Sequence, residues 1–131
     1  MKAAIWIGVT ALTLGQAVLA QSPTPCPYSS GALVLNPGLV LNNKTACASR
    51  GSEQWSEYHA PGGNLIDYKG GSPETVGKWT SDSASVSYDY GSGGRFTWSL
   101  CSVAASSTYN FCQGANVITG ATLKSGQTSC P

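Results

Sequence analysis

Residues 84–100 read ASVSYDYGSGGRFTWSL and carry the strongest structural signal in the chain. In residues 84–90, apolar and aromatic side chains alternate strictly with serine and aspartate, so the two sets face opposite sides of an extended chain. Residues 95–103 begin with the same alternation, and the glycine-rich residues 91–94 separate the two segments. This pattern predicts two antiparallel strands that each bury one face.

Similar segments continue on both sides of this hairpin. Breaks that contain glycine or proline recur about every eight to twelve residues, a spacing typical of sandwiches and barrels. Further strands are predicted at these positions: residues 54–59, 64–69, 76–81 and 109–112, with one or two more in 116–124. We therefore predict an all-β fold, a small antiparallel meander of about seven or eight strands that closes as a barrel or a sandwich.

The beginning of the predicted domain is less regular. Residues 21–31 contain three prolines and are predicted to form an extended lead-in. Residues 32–41 are apolar, but the turn signal Asn36-Pro37-Gly38 interrupts them. We expect two short strands or one bulged strand there. The alternative is a short helix, for which these residues have poor propensity. Residues 32–131 are assigned to a single β domain.

Residues 1–20 have the three-part layout of a cleavable export signal. Lys2 provides a positive start, an uncharged and mostly apolar stretch follows, and the small residues Val18 and Ala20 precede Gln21. We predict cleavage after Ala20 and a secreted or periplasmic product. The apolar stretch is shorter than the roughly 20 residues that a membrane span requires, so no membrane span is predicted.

The low charge content narrows the possible partners. Charged residues make up 10% of the 131 residues, and the formal net charge is +1. A coiled coil needs many more charged side chains, and a protein that binds nucleic acid usually carries a basic patch. We therefore expect no nucleic-acid partner.

The five cysteines cannot all pair within one chain. If residues 95–103 and 109–112 form a hairpin in which Cys101 faces Cys112, the aromatic side chains of both strands share the other face. Facing side chains in such a pair lie near the separation that a disulfide requires. We therefore predict the disulfide Cys101–Cys112.

Three cysteines then remain. Cys26 and Cys130 lie near the two ends of the exported chain, and chain ends are often close in space, so we predict that they pair. Cys47 would be left over as a buried thiol or for an intermolecular disulfide, whereas the alternative pair Cys26–Cys47 would leave Cys130 over. Metal binding is not predicted, because the chain has no C-x-x-C motif and one histidine.

The most informative surface combines EQWSEYH, residues 53–59, with NLIDYK, residues 64–69. Strand alternation gathers aromatic and charged side chains on one face, where the aromatic groups anchor a ligand and the charges orient it. The predicted ligand-binding residues are Trp55, Glu57, His59, Asp67 and Lys69. The histidine beside a carboxylate would make such a patch sensitive to pH. The alternative is that Trp55 packs in the core and the charges lie at a rim.

Two resemblances accompany these patterns. The series EQWSEYH, GGNLIDYKGG, VGKWT and VSYDYG resembles small exported bacterial β-rich proteins of uncharacterised function, over roughly residues 50–112, and it implies no functional residue. Gly77-Lys78-Trp79 is also similar to the G-x-W signature of lipocalins. In lipocalins the signature lies on the first strand, whereas several predicted strands precede it here. This second resemblance implies a closed barrel.

These observations favour an exported, non-catalytic binding module that recognises a protein or a small ligand, with inhibition of a hydrolase as one form. No catalytic residue and no cofactor is predicted, because no G-x-S-x-G motif is present. One alternative is a structural envelope or fibre subunit linked through the odd cysteine or a strand edge. The other is a small hydrolase that uses Glu57, His59 and Asp67.

Overall fold

The computed structural model describes Cys26, residues 31–68 and residues 71–131. The predicted export signal, Lys69 and all of the lead-in except Cys26 and Gly31 lie outside these residues. Ten elements follow one another: β1 (Ala32–Leu33), α1 (Pro37–Leu41), β2 (Lys44–Arg50), β3 (Glu53–His59), β4 (Asn64–Asp67), β5 (Glu74–Ser81), β6 (Val86–Asp89), β7 (Arg95–Val103), β8 (Thr108–Gln113) and β9 (Asn116–Ser125). A single 3₁₀ turn, Gly91–Gly93, connects β6 to β7.

Strands β2 to β9 form a closed antiparallel barrel. Each strand pairs with the next one along the chain, and β9 pairs with β2 to complete the ring. The remaining strand, β1, adds to β7 through the pairs Ala32–Ser102 and Leu33–Cys101. The predicted all-β antiparallel meander is thus confirmed, and the sheet closes as a barrel rather than a sandwich.

Inward-facing side chains fill the barrel, as expected for eight strands. The alternation that starts at residue 84 places Val86 and Tyr88 inside, both with no exposed surface, and Tyr90 in the same row. On β7, Trp98 and Leu100 face inward and pack with Phe111 of β8. The remaining buried members of the core are Leu41, Ala46, Trp55, Leu65, Trp79, Ile118 and Ala121.

The helix α1 covers one end of the barrel. Asn36 adopts a left-handed conformation (φ 52°) and Pro37 takes the first helical turn, where its missing N–H costs nothing. Leu41 is completely buried and inserts into the core. The prediction of a strand is thus confirmed at Ala32–Leu33 and wrong at Pro37–Leu41, because tertiary burial of one helical face overrides the weak local propensity.

Strand β2 was not predicted from the sequence. Its residues, KTACASR, are small or polar and lack a clear apolar alternation. The strand is nevertheless held on both edges, by β3 and β9. Its outer face is covered by the C-terminal residues, where the Thr45 hydroxyl donates to the Gly126 carbonyl and accepts from the Thr128 amide.

The structure corrects the predicted disulfides. Cys26 pairs with Cys101 (Cα–Cα 6.4 Å) and Cys47 pairs with Cys130 (Cα–Cα 5.7 Å). Neither Cys101–Cys112 nor Cys26–Cys130 forms, and Cys47 is not left over for an intermolecular bond. Both disulfides instead fasten a segment outside the barrel to a barrel strand.

A register shift explains the wrong hairpin disulfide. Cys101 faces Asn110 and Cys112 faces Ser99, which differs by two residues from the predicted alignment. A shift of two leaves every side chain on its predicted face. Cys101 and Cys112 are therefore diagonal neighbours on the outer face of β7 and β8 rather than direct partners.

Candidate functional site

A cavity of about 240 Å³ opens at the end of the barrel away from α1. The course of β5 shows that α1 and the cavity lie at opposite ends of the barrel. Gly38 of α1 lies against Ser81 at the last residue of β5, whereas Val76, near the first residue of β5, lines the cavity. The residues that line this mouth cavity are Glu53, Gln54, Trp55, Glu57, Asp67, Val76 and Tyr90.

Strand pairing brings three of the five predicted ligand-binding residues to the mouth cavity. Alternation along β3 turns Trp55, Glu57 and His59 toward the barrel interior. Asp67 of β4 is the direct partner of Glu57, so the two carboxylates share the inner face of neighbouring strands. The predicted patch is therefore concave, and it faces into the barrel.

Glu57 is held firmly at the bottom of the mouth cavity. Its side chain is 3% exposed, and the Tyr90 hydroxyl donates to the carboxylate with O–O distances of 3.0 and 3.1 Å. Tyr90 is itself fixed by stacking on Tyr88, with ring centroids 6.4 Å apart, and by the edge of Phe96 at 6.1 Å. A buried carboxylate requires such hydrogen bonds to offset its desolvation.

His59 lies deeper in the barrel and does not line the mouth cavity. Its ring is completely buried, with Nε2 2.8 Å from the Tyr88 hydroxyl and Nδ1 3.3 Å from the Lys44 carbonyl oxygen. These partners fit a neutral ring in which Nδ1–H donates to Lys44 and the Tyr88 hydroxyl donates to Nε2.

Burial also changes the acidity of this buried pair. Desolvation lowers the pKa of His59 from 6.5 to about 4, against the opposing effect of the hydrogen bond to the Lys44 carbonyl. Desolvation, together with the charge of Glu57, raises the pKa of Tyr88 well above its ordinary value. Both groups are therefore neutral at pH 7 and behave as core residues that satisfy each other's polar atoms.

Trp55 forms one wall of the mouth cavity and is 7% exposed. The guanidinium carbon of Arg50 lies 5.8 Å from the centre of its ring, and Arg50 also donates to Asn116 of β9. The indole is therefore already stacked on one cation outside the cavity. The fifth predicted ligand residue, Lys69, lies outside the described residues.

Four residues that line the mouth cavity were not among the predicted ligand-binding residues: Glu53, Gln54, Val76 and Tyr90. Tyr90 ends the alternating segment 84–90, and its position in the row of Val86 and Tyr88 was the available signal. Val76 lines the cavity next to a register shift between β4 and β5. A register shift of this kind cannot be predicted from the alternation of apolar and polar residues.

A second hollow of about 490 Å³ lies beside α1 at the covered end of the barrel. Asp82 is its one charged lining residue, and that carboxylate already accepts hydrogen bonds from the amides of Ala84 and Ser85. These bonds lower the pKa of Asp82. The hollow therefore presents one carboxylate, compared with three in the lining of the mouth cavity.

Within the described part of the chain, one group of three potential metal ligands has its ligand atoms close together: Cys26, Cys101 and Cys112. Two of these sulfurs form a disulfide. The carboxylates at the mouth cavity do not form such a group.

Comparison of the chain with protein-family models, curated proteins and solved structures finds no match. In the described residues, no helix has both the length and the apolar character needed to cross a membrane.

Proposed function

We propose that the chain is an exported, non-catalytic binding module that takes a small cationic ligand in its mouth cavity. The observation that carries this proposal is the cavity lining, which includes Glu53, Glu57 and Asp67 and no basic side chain among the described residues. Trp55 and Tyr90 add aromatic rings, which attract cations through their negative faces. A ligand with an ammonium or guanidinium group matches this combination.

The size of the cavity limits the ligand. About 240 Å³ is somewhat below the range of about 300–1,000 Å³ usual for drug-sized ligands. We therefore expect a compact molecule, comparable to an amino-acid side chain with a few additional atoms. Glu57 is fixed by Tyr90 and would anchor the cation, while the half-exposed Asp67 would meet it at the entrance.

The state of His59 supports binding over acid–base catalysis. Both of its ring nitrogens have partners inside the barrel, and burial keeps the ring neutral. A general base must reach the proton that it removes, and His59 is separated from the mouth cavity. The described lining of the cavity thus holds three carboxylates without an accompanying imidazole.

Isothermal titration calorimetry with a series of small amines and guanidines tests the proposal, with butylguanidine and its neutral counterpart pentanamide as the central pair. We expect the guanidine to bind at least tenfold more tightly, because its charge would be paired with carboxylates in a partly desolvated cavity. Equal affinity for the charged and the neutral compound would refute a cation site.

The variant Asp67→Asn should weaken guanidine binding by about tenfold or more, corresponding to the loss of one charged hydrogen bond. Asp82→Asn, which makes the same change of charge at the other end of the barrel, is the matched control and should bind as the wild type does. If the cation binds the two variants with equal affinity, its site is not in the mouth cavity.

A further inference from the structure

Three sulfur atoms lie together on the outer face of β7 and β8. The Sγ atoms of Cys26, Cys101 and Cys112 are all within 4.8 Å of one another. Cys26 and Cys101 form a disulfide, and Cys112 belongs to neither disulfide of the structure. Cys101 therefore has a second sulfur within reach.

The sheet register creates this arrangement. Cys101 and Cys112 point to the same face of neighbouring strands and are offset by two residues. Diagonal neighbours of this kind are close enough for side-chain contact. A bond between them needs the two sulfurs to approach to about 2 Å, which requires a change of rotamer and a small backbone adjustment.

We propose that Cys112 and Cys26 compete for Cys101 by thiol–disulfide exchange. The Cys112 thiolate attacks Sγ of Cys101, an S–S bond forms between them, and the Cys26–Cys101 bond breaks. Cys26 leaves as a thiolate and takes up the proton that Cys112 lost. One disulfide is made and one is broken, so the step needs no oxidant or reductant.

Exchange moves the odd thiol to a different environment. Cys101 is completely buried and Cys112 is 2% exposed, whereas Cys26 is partly exposed. After exchange, residue 26 is no longer covalently attached to β7 and carries a thiol. This thiol is a modification site, because it can attack a low-molecular-weight disulfide, form a mixed disulfide and release one small thiol.

The second disulfide provides an internal reference. Cys47 lies on β2 and pairs with Cys130, and β9 separates β2 from the strand that carries Cys112. Among the described residues, no further cysteine sulfur joins this pair in a close group. The Cys47–Cys130 bond should therefore remain unchanged while the other one exchanges.

Oxidised glutathione is the probe that tests the exchange. The oxidised protein is incubated with it between pH 7 and pH 8, quenched with acid, and the modified cysteine is mapped by mass spectrometry. Exchange predicts a mixed disulfide at Cys26, formed about ten times faster at pH 8 than at pH 7 because the thiolate is the nucleophile. Modification at Cys112 alone, or at no cysteine, would overturn the proposal.

Proteolysis distinguishes the isomers. The tryptic peptide 96–124 contains both Cys101 and Cys112, so after exchange it carries an internal disulfide and separates from the peptide that contains Cys26. If the Cys26–Cys101 bond is intact, the peptide that contains Cys26 stays linked to peptide 96–124. Chymotryptic cleavage after Tyr109, which lies between the two cysteines, then shows which one is linked to Cys26.

Two variants complete the test. Cys112→Ser removes the attacking thiol and should abolish glutathione addition at Cys26 while the Cys26–Cys101 bond remains. Cys26→Ser should form the Cys101–Cys112 bond on oxidation. If Cys112→Ser is modified at Cys26 as quickly as the wild type, the internal exchange is refuted.

Discussion

His59 is a buried base, and its protonation should weaken the barrel in mild acid. Its pKa falls from 6.5 in the unfolded chain to about 4 in the folded one, so the unfolded state binds more protons between these values. The free energy of unfolding therefore has its full His59 contribution above pH 6.5 and loses it as the pH falls toward 4. The total loss is roughly 3 kcal/mol.

Urea unfolding of the wild type and of His59→Gln at pH 7.5, 5.5 and 4 measures this loss. The variant should be less stable at pH 7.5, because Tyr88 loses its imidazole partner, but its stability should depend less on pH. Carboxylates contribute to both proteins equally and cancel in the comparison. Parallel pH profiles would show that His59 does not titrate in this range.

For single residues, the sequence predicted which side chains share a face of the strand but not how deeply each one is buried. Alternation places Trp55, Glu57 and His59 on one face of a strand, and the structure agrees. Alternation does not tell which face turns inward or how deep each side chain lies, because both depend on the curvature of the closed sheet. His59 was therefore grouped with surface residues although it belongs to the core.

Among the elements, the hairpin of β6 and β7 was predictable, whereas α1 and β2 were not. In the hairpin, large apolar side chains alternate with small polar ones, and one glycine-rich turn separates the strands. Strand β2 lacks such alternation because other parts of the chain cover its outer face. The register of β7 and β8 was misjudged because a shift of two residues preserves every face and leaves no mark on the pattern.

The helix α1 gives a test of how the barrel end is closed. Leu41 is completely buried, whereas Leu39 on the same helix is 83% exposed. Leu41→Ala should lower the free energy of unfolding by about 2–5 kcal/mol, because it leaves a void between helix and barrel. Leu39→Ala is the matched control, and urea denaturation should place it within about 0.5 kcal/mol of the wild type. Equal effects would mean that α1 does not seal the core.

At the scale of the whole molecule, both disulfides join a distant segment to the outside of the barrel. The Cys47–Cys130 bond closes a loop with a sequence separation of 83 residues. Loops of this length restrict the unfolded chain strongly, by about 4–5 kcal/mol in the chain-entropy model. The double variant Cys47→Ser/Cys130→Ser should lose about this much stability in urea denaturation.

The barrel core contains neither of these sulfurs, so the double variant should keep its strands. Far-ultraviolet circular dichroism in the absence of urea checks this expectation. Loss of the β signal would mean that the C-terminal residues over β2 and β3 are needed for the ring to close. An unchanged urea midpoint would contradict the stabilising role of the bond.

Closure of the ring has a consequence for self-association. Amyloid growth begins when a strand of one molecule adds to an unpaired strand edge of another. Each of the eight barrel strands already has a neighbour on both sides, and β1, the additional described strand, has only two residues. A strand of a second copy could therefore pair with a barrel strand only after the hydrogen bonds between two neighbouring barrel strands had been broken. We expect the folded protein to resist fibril formation at concentrations at which an open sheet of the same composition would aggregate.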